Sequence, residues 1–73
     1  TEEQIRSMKI LLLRLERISA DSVVAHRASG VRGAMLRLLD EFENGITPSP
    51  QQLKRLTDMG NILLQKAARE IGR

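Results

Sequence analysis

The only histidine of the chain, His26, is the first side chain to consider for catalysis. A general base of the Ser-His-Asp type needs a carboxylate that orients the imidazole, and a metal site on a helix needs further ligands three or four residues away. The residues one helical turn from His26 include Ser22, Ser29 and Gly30, and none of these is a carboxylate. We therefore predict that His26 has neither a catalytic nor a metal-binding role.

A second group with potential chemistry is the acidic cluster of Asp40, Glu41 and Glu43. Paired carboxylates transfer protons only where a cleft shifts their pKa values, and a domain this small has little room for a cleft. The cluster falls at the end of a predicted helix, where the helix dipole disfavours negative charge. We interpret it as a solvated acidic patch and a modest candidate for contact with a basic partner. No set of residues that could catalyse a reaction or hold a cofactor remains, so we expect a non-enzymatic protein.

Gly30 and Gly33 lie within a predicted helix, where each glycine costs ~1 kcal/mol relative to alanine. The segment lacks the spacing and the preceding strand of a phosphate-binding loop. Two interpretations stay open. The glycines could kink or end the helix, or they could let another backbone approach closely, within the domain or from a partner, and we favour the second.

The composition, with 41% hydrophobic and 29% charged residues, is that of a globular chain. One phenylalanine is the whole aromatic content, which makes base stacking a poor binding mode. No apolar run approaches the ~18 residues of a membrane span, and there is no signal-peptide pattern. Because cysteine is absent, disulfides and thiolate metal sites are excluded, and we expect an intracellular protein of the cytoplasm or nucleus. The chain begins at Thr1 without methionine, so we expect residues 1–73 to be a single helical-bundle domain of a longer protein.

Apolar spacing predicts the helices that carry these residues. The first, about 2–18, has Ile5, Met8, Leu12 and Leu15 at intervals of three and four residues, and Thr1 with Gln4 forms a capping box at its start. The second, about 22–43, has the most regular apolar seam. Its members are Val24, Ala28, Val31, Met35, Leu38 and Phe42.

Capping and turn residues in the sequence predict where these helices begin and end. Asn44-Gly45 should end the second helix, with Gly45 in the left-handed position. The third, about 50–71, starts with Ser49 as N-cap, Pro50 and Gln52, with Leu53 packing on Pro48. The polar segment 19–22 between the first two helices predicts a turn, although the absence of Gly and Pro there leaves one long bent helix open.

Three helices joined by short loops predict an all-α, antiparallel up-down-up three-helix bundle. Nine residues should form its core on the basis of shared helical spacing: Leu12, Leu15, Val24, Val31, Met35, Leu38, Phe42, Leu56 and Leu63. The third helix should bury a broad face that also includes Leu53, Met59, Gly60, Leu64, Ala67, Ala68 and Ile71.

Ile10 and Leu13 lie on the far side of the first helix from its apolar stripe, and Arg6 and Arg17 flank them. Two apolar residues on adjacent turns form a candidate docking patch. We predict that this group binds a protein partner or a second copy of the chain. The small-sided segment at Gly30 and Gly33 is the second candidate surface.

The net charge of +3 comes largely from the third helix. The third helix carries a basic stripe opposite its apolar face, which spans about 60° of the helix and consists of Arg55, Lys66, Arg69 and Arg73. The apolar residue Ile62 lies between these cations. The stripe could contact phosphates or an acidic protein surface, or it could be a solvated helix back. The leading functional hypothesis is a non-catalytic protein-interaction, scaffold or self-association module. The alternative is an accessory nucleic-acid-binding domain that uses the basic stripe.

Overall fold

The computed structural model describes residues 2–71, with the backbone alone at residue 71. Three α-helices follow in order: α1 (Glu2–Glu16), α2 (Ala25–Glu43) and α3 (Pro50–Ile71). Each helix packs against both others, and residues 2–71 contain no strand. The predicted all-α three-helix bundle is confirmed, while the predicted capping box at Thr1 and the positions of Gly72 and Arg73 lie outside the described residues.

The connection between α1 and α2 is longer than predicted, because α1 ends at Glu16 and α2 begins only at Ala25. Residues 17–24 form successive turns, in which the Ser22 amide donates to the Ser19 carbonyl at 3.0 Å and the Ala25 amide donates to the Ser22 carbonyl at 3.1 Å. The Asp21 amide also donates to Ser19 Oγ at 3.2 Å, so a serine side chain competes for the backbone as expected. The alternative of one long bent helix is therefore wrong.

A carboxylate from α3 supports the start of α2. The N-cap residue of α2, Val24, has no side-chain cap of its own. Instead, Glu70 Oε1 accepts a hydrogen bond from the Val23 amide at 2.9 Å, and Glu70 Oε2 accepts one from the Ser22 hydroxyl at 2.6 Å. The Ser22 hydroxyl oxygen in turn accepts a hydrogen bond from the Val24 amide at 3.2 Å, and the negative charge of Glu70 near the helix N-terminus complements the helix dipole. The beginning of α2 thus depends on a residue 47 positions away in the chain.

The predicted end of α2 and the predicted start of α3 are confirmed. At the end of α2, the Ile46 amide donates to the Glu41 carbonyl at 2.9 Å and the Gly45 amide donates to the Phe42 carbonyl at 3.1 Å. Gly45 has φ +86°, so these bonds form a Schellman motif. At the start of α3, the Gln52 amide donates to Ser49 Oγ at 3.1 Å.

The core is one apolar cluster shared by all three helices. Of the nine predicted core residues, eight are buried and Phe42 is only partly buried, packing against the edge of the cluster. On the predicted α3 face, Leu53 is buried, and Leu64 and Ala67 are partly buried. Leu11 of α1 and Leu39 of α2 are also buried. The core members are Ile5, Met8, Leu11, Leu12, Leu15, Val24, Ala28, Val31, Met35, Leu38, Leu39, Leu53, Leu56 and Leu63.

The predicted buried face of α3 was too wide. Met59 and Ala68 are exposed, because each lies about 90° from the centre of the buried stripe and two neighbouring helices cannot cover that arc. The side chain of Ile71 lies outside the described residues.

All three helices come close together at Gly60. A Cβ atom at this position would lie 2.7 Å from Leu11 Cδ2 and 3.2 Å from Met35 Cε. By contrast, a Cβ atom at Gly30 or Gly33 would meet nothing within 4 Å, and α2 continues unbroken through both residues. The interpretations of Gly30 and Gly33 as a helix break or as a close approach within the bundle are therefore wrong. Approach of a partner at these glycines stays a prediction.

Candidate interaction surfaces

The side chains considered for chemistry are dispersed over the surface. His26 is exposed, as are Asp40, Glu41 and Glu43. Among the residues that the structure describes, no group of three or more histidine, aspartate or glutamate side chains is placed to hold a metal ion.

The outer face of α1, defined here by Arg6, Ile10, Leu13 and Arg17, is the first candidate interaction surface. Ile10 is 51% exposed and Leu13 is 61% exposed, and both arginines are exposed. Arg6, Ile10 and Leu13 fall within about 60° of one another on the helix, opposite its buried stripe. Arg17 continues the same turn just beyond the helix, where its amide donates to the Arg14 carbonyl at 3.1 Å. The structure therefore brings all four predicted residues together.

One edge of this outer face adjoins α2. Arg6 and Lys9 of α1 line a small surface depression together with Phe42 of α2. The Arg6 edge of α1 is therefore the edge that faces α2. Leu13, which follows Arg6 by two helical turns, lies on this same edge.

A third exposed aliphatic residue, Leu36 of α2, borders the surface where α1 meets α2. Gly30 and Ala34 line the groove between α2 and α3, so they mark the edge of α2 that faces α3. Leu36 lies about 120° and 160° from these two residues around the helix, which places it on the edge nearest α1. Leu36 is 50% exposed, and the sequence analysis missed it.

Leu13 and Leu36 also lie at similar heights in the bundle. Leu11 and Met35 both contact the Cβ position of Gly60, so these two residues share one level. In antiparallel helices, Leu13 and Leu36 are then separated by only about 4–5 Å along the bundle axis. Ile10, Leu13 and Leu36 together form what we call the α1–α2 apolar patch.

The two helical glycines face different surroundings. Gly30 lines the α2–α3 groove, whereas Gly33 points outward from α2 on the side opposite its buried stripe. The two glycines, predicted to form one surface, are about 60° apart around α2, and only Gly30 belongs to the α2–α3 groove.

The basic stripe of α3 is exposed at Arg55, Lys66 and Arg69, and its predicted fourth member, Arg73, lies outside the described residues. Ile62 lies among these cations and is 47% exposed. At the edge of the stripe, Lys54 Nζ donates to Asp58 Oδ2 at 2.8 Å. This hydrogen bond, with the attraction of the carboxylate charge, raises the pKa of Lys54. Both side chains are largely exposed, so the pair adds little to stability.

No protein-family model, curated protein or solved structure matches this chain. No helix within residues 2–71 combines the length and the apolar character needed to cross a membrane.

Proposed function

We propose that this chain is a non-catalytic protein-interaction module that docks a protein partner, or a second copy of itself, through the α1–α2 apolar patch. The observation that carries the proposal is that Ile10, Leu13 and Leu36 are each at least half exposed, and helix geometry groups them where α1 meets α2. Isolated exposed aliphatic residues are common, but three on adjoining helices form a contiguous patch of the kind that marks binding sites.

The size of the patch suits a modest interface. Since each side chain is already about half buried, covering all three would contribute ~2–5 kcal/mol before ordering costs are subtracted. Arg6, Lys9 and Arg17 around the patch are exposed and would form a charged rim. Rim charges of this kind govern the rate and specificity of association more than its strength.

The test is the double variant Ile10→Ser, Leu13→Ser in the intact chain. We expect helicity to persist, because both side chains lie outside the core, while association falls tenfold or more. Helicity is followed by circular dichroism, self-association by sedimentation, and partner binding by pull-down. Val23→Ser, a change of an exposed aliphatic residue in the α1–α2 connection that lies in neither candidate surface, is the control and should leave association unchanged.

Two further readouts separate this proposal from its rivals. Apolar docking should persist between low and moderate salt, whereas binding to phosphates should collapse over that range. Unchanged association in a folded double variant would exclude the α1–α2 apolar patch. Salt-sensitive binding of that kind would favour the alternative of a nucleic-acid-binding domain that uses the basic stripe.

A further inference from the structure

An open apolar groove of about 280 Å³ runs between α2 and α3, away from the α1–α2 apolar patch. Its floor is formed by the core side chains Val31, Leu56 and Leu63. On the α3 side its wall is formed by Met59, which is 39% exposed, and Ile62. These residues offer a continuous apolar surface that the three helices of the bundle leave uncovered.

The α2 side of the groove is lined by small residues. Gly30 and Ala34, one helical turn apart, line it, and a Cβ atom at Gly30 would meet nothing within 4 Å. Packed helices lie 8–10 Å apart, and the shorter distances require small side chains at the contact. A side chain of an incoming helix therefore has space directly over Gly30.

Positive charge surrounds the groove at both ends. On α3, Arg55 lies one turn before Met59, and Lys66 and Arg69 follow Ile62 by one and two turns on the same exposed side. On α2, Arg27 lines the groove, and Arg37 lies two turns beyond Gly30 on the same edge. The apolar centre is thus bracketed by cations.

Few acidic residues oppose these cations within the described chain. Asp58 is paired with Lys54, and Glu70 is engaged by Ser22 and Val23 at the start of α2. Asp58 lines the adjoining depression together with Met59 and Ile62, and Glu41 lies two turns beyond Ala34 on the same edge of α2, so two carboxylates face five cations around the groove. The electrostatic field over the groove is therefore positive.

We infer that the α2–α3 groove binds an acidic amphipathic helix of a partner protein. Apolar side chains of that helix would lie over Met59, Ile62 and Gly30, and carboxylates near its ends would face the cations at the ends of the groove. The distance from Arg55 to Arg69 along α3 is about 21 Å, which corresponds to a partner helix of about four turns.

Other occupants fit the groove less well. The outer face of α1 in a second copy carries Arg6 and Arg17, whose charges would be repelled by the groove. A nucleic acid would gain from the cations, but the groove has an apolar floor and no aromatic side chain on which a base could stack.

The test uses a synthetic peptide of about 16 residues, with leucines at helical i, i+3, i+7 spacing, glutamates near both ends and one tryptophan. Because the chain has no tryptophan, peptide fluorescence reports binding without background. We expect saturable binding by the parent chain, and at least tenfold weaker binding of a scrambled peptide of identical composition. Gly30→Leu should fill the groove and weaken peptide binding at least tenfold without loss of helicity.

Gly33→Leu is the matched control, since Gly33 is exposed on the same helix but does not line the groove, and it should change peptide binding less than twofold. The variant Ile10→Ser, Leu13→Ser should also bind the peptide normally, so failure of either surface can be distinguished from failure of the other. Equal binding of the scrambled peptide, unchanged binding by Gly30→Leu, or no binding at about millimolar peptide would overturn the inference. Tighter binding of single-stranded DNA or anionic lipid vesicles than of the peptide, abolished by Lys66→Glu with Arg69→Glu, would assign the surface to polyanions instead.

Discussion

Glycine has opposite consequences at two positions of this bundle. At Gly60, α3 passes so close to Leu11 and Met35 that a methyl group would overlap the Leu11 side chain. At Gly33, the helix is exposed and the space around the Cβ position is empty. A methyl group at the first position would force the buried Leu11 side chain to move, whereas the second glycine only lowers the helical propensity of α2.

This contrast predicts opposite effects of the same substitution. Gly33→Ala should stabilise the protein by ~0.5–1 kcal/mol, because alanine favours the helix and meets no neighbour. Gly60→Ala should destabilise it by ~0.5–2 kcal/mol, because the overlap with buried Leu11 exceeds the gain in propensity. Chemical denaturation of both variants measures the difference. Stabilisation by Gly60→Ala would show that the helices separate at little cost.

At the scale of the helix, the two ends of α2 are fixed in different ways. Its C-terminal end is closed by local bonds through Gly45, whereas its N-terminal end combines local bonds to Ser22 with long-range hydrogen bonds to Glu70 on α3. The same carboxylate joins the α1–α2 connection to the last turns of α3.

Replacing Glu70 of α3 should therefore destabilise the N-terminal end of α2. We expect Glu70→Ala to lower the free energy of unfolding by ~1–2 kcal/mol, since a charged acceptor is lost from two donors. Hydrogen exchange at the Val23 amide should accelerate with it. Gln65→Ala, an exposed change on the same helix, serves as the control and should leave exchange at Val23 as it was. Equal protection of Val23 in both variants would argue against the Glu70 cap.

The whole molecule depends on a small core. A domain of this size, without disulfides, has only ~3–5 kcal/mol of net stability. The bundle is elongated, with extents of 43 × 17 × 16 Å, so each core side chain lies a single helix diameter or less from solvent. Loss of one well-buried side chain should consequently affect the entire fold.

Leu38 and Leu36 make this expectation testable, because they lie on the same helix with 1% and 50% exposure. Leu38→Ala should cost ~2–5 kcal/mol, enough to unfold much of the population. Leu36→Ala should cost less than ~1 kcal/mol. Thermal melting followed by circular dichroism compares the two variants, and similar melting temperatures would mean that the core is packed differently.

Features that depend on neighbouring residues in the chain were predictable from the sequence. The cap at Ser49, the left-handed turn at Gly45 and the three apolar stripes each follow from spacing within one or two helical turns. The exposure of Ile10 and Leu13 followed in the same way, because a residue opposite a buried stripe must point outward. Two of the three members of the α1–α2 apolar patch could thus be located from the sequence.

Features that depend on which helices face each other were decided by the tertiary structure alone. The sequence does not show that Leu36 lies on the edge of α2 nearest α1, that Gly30 lines a groove whereas Gly33 does not, or that Met59 and Ile62 border that groove. Nor could it show that the start of α2 is stabilised by Glu70. Helical periodicity determines the angle of a residue around its own helix, but the relative rotation and height of the helices are set by close contacts such as those at Gly60, which involve residues from three separate segments.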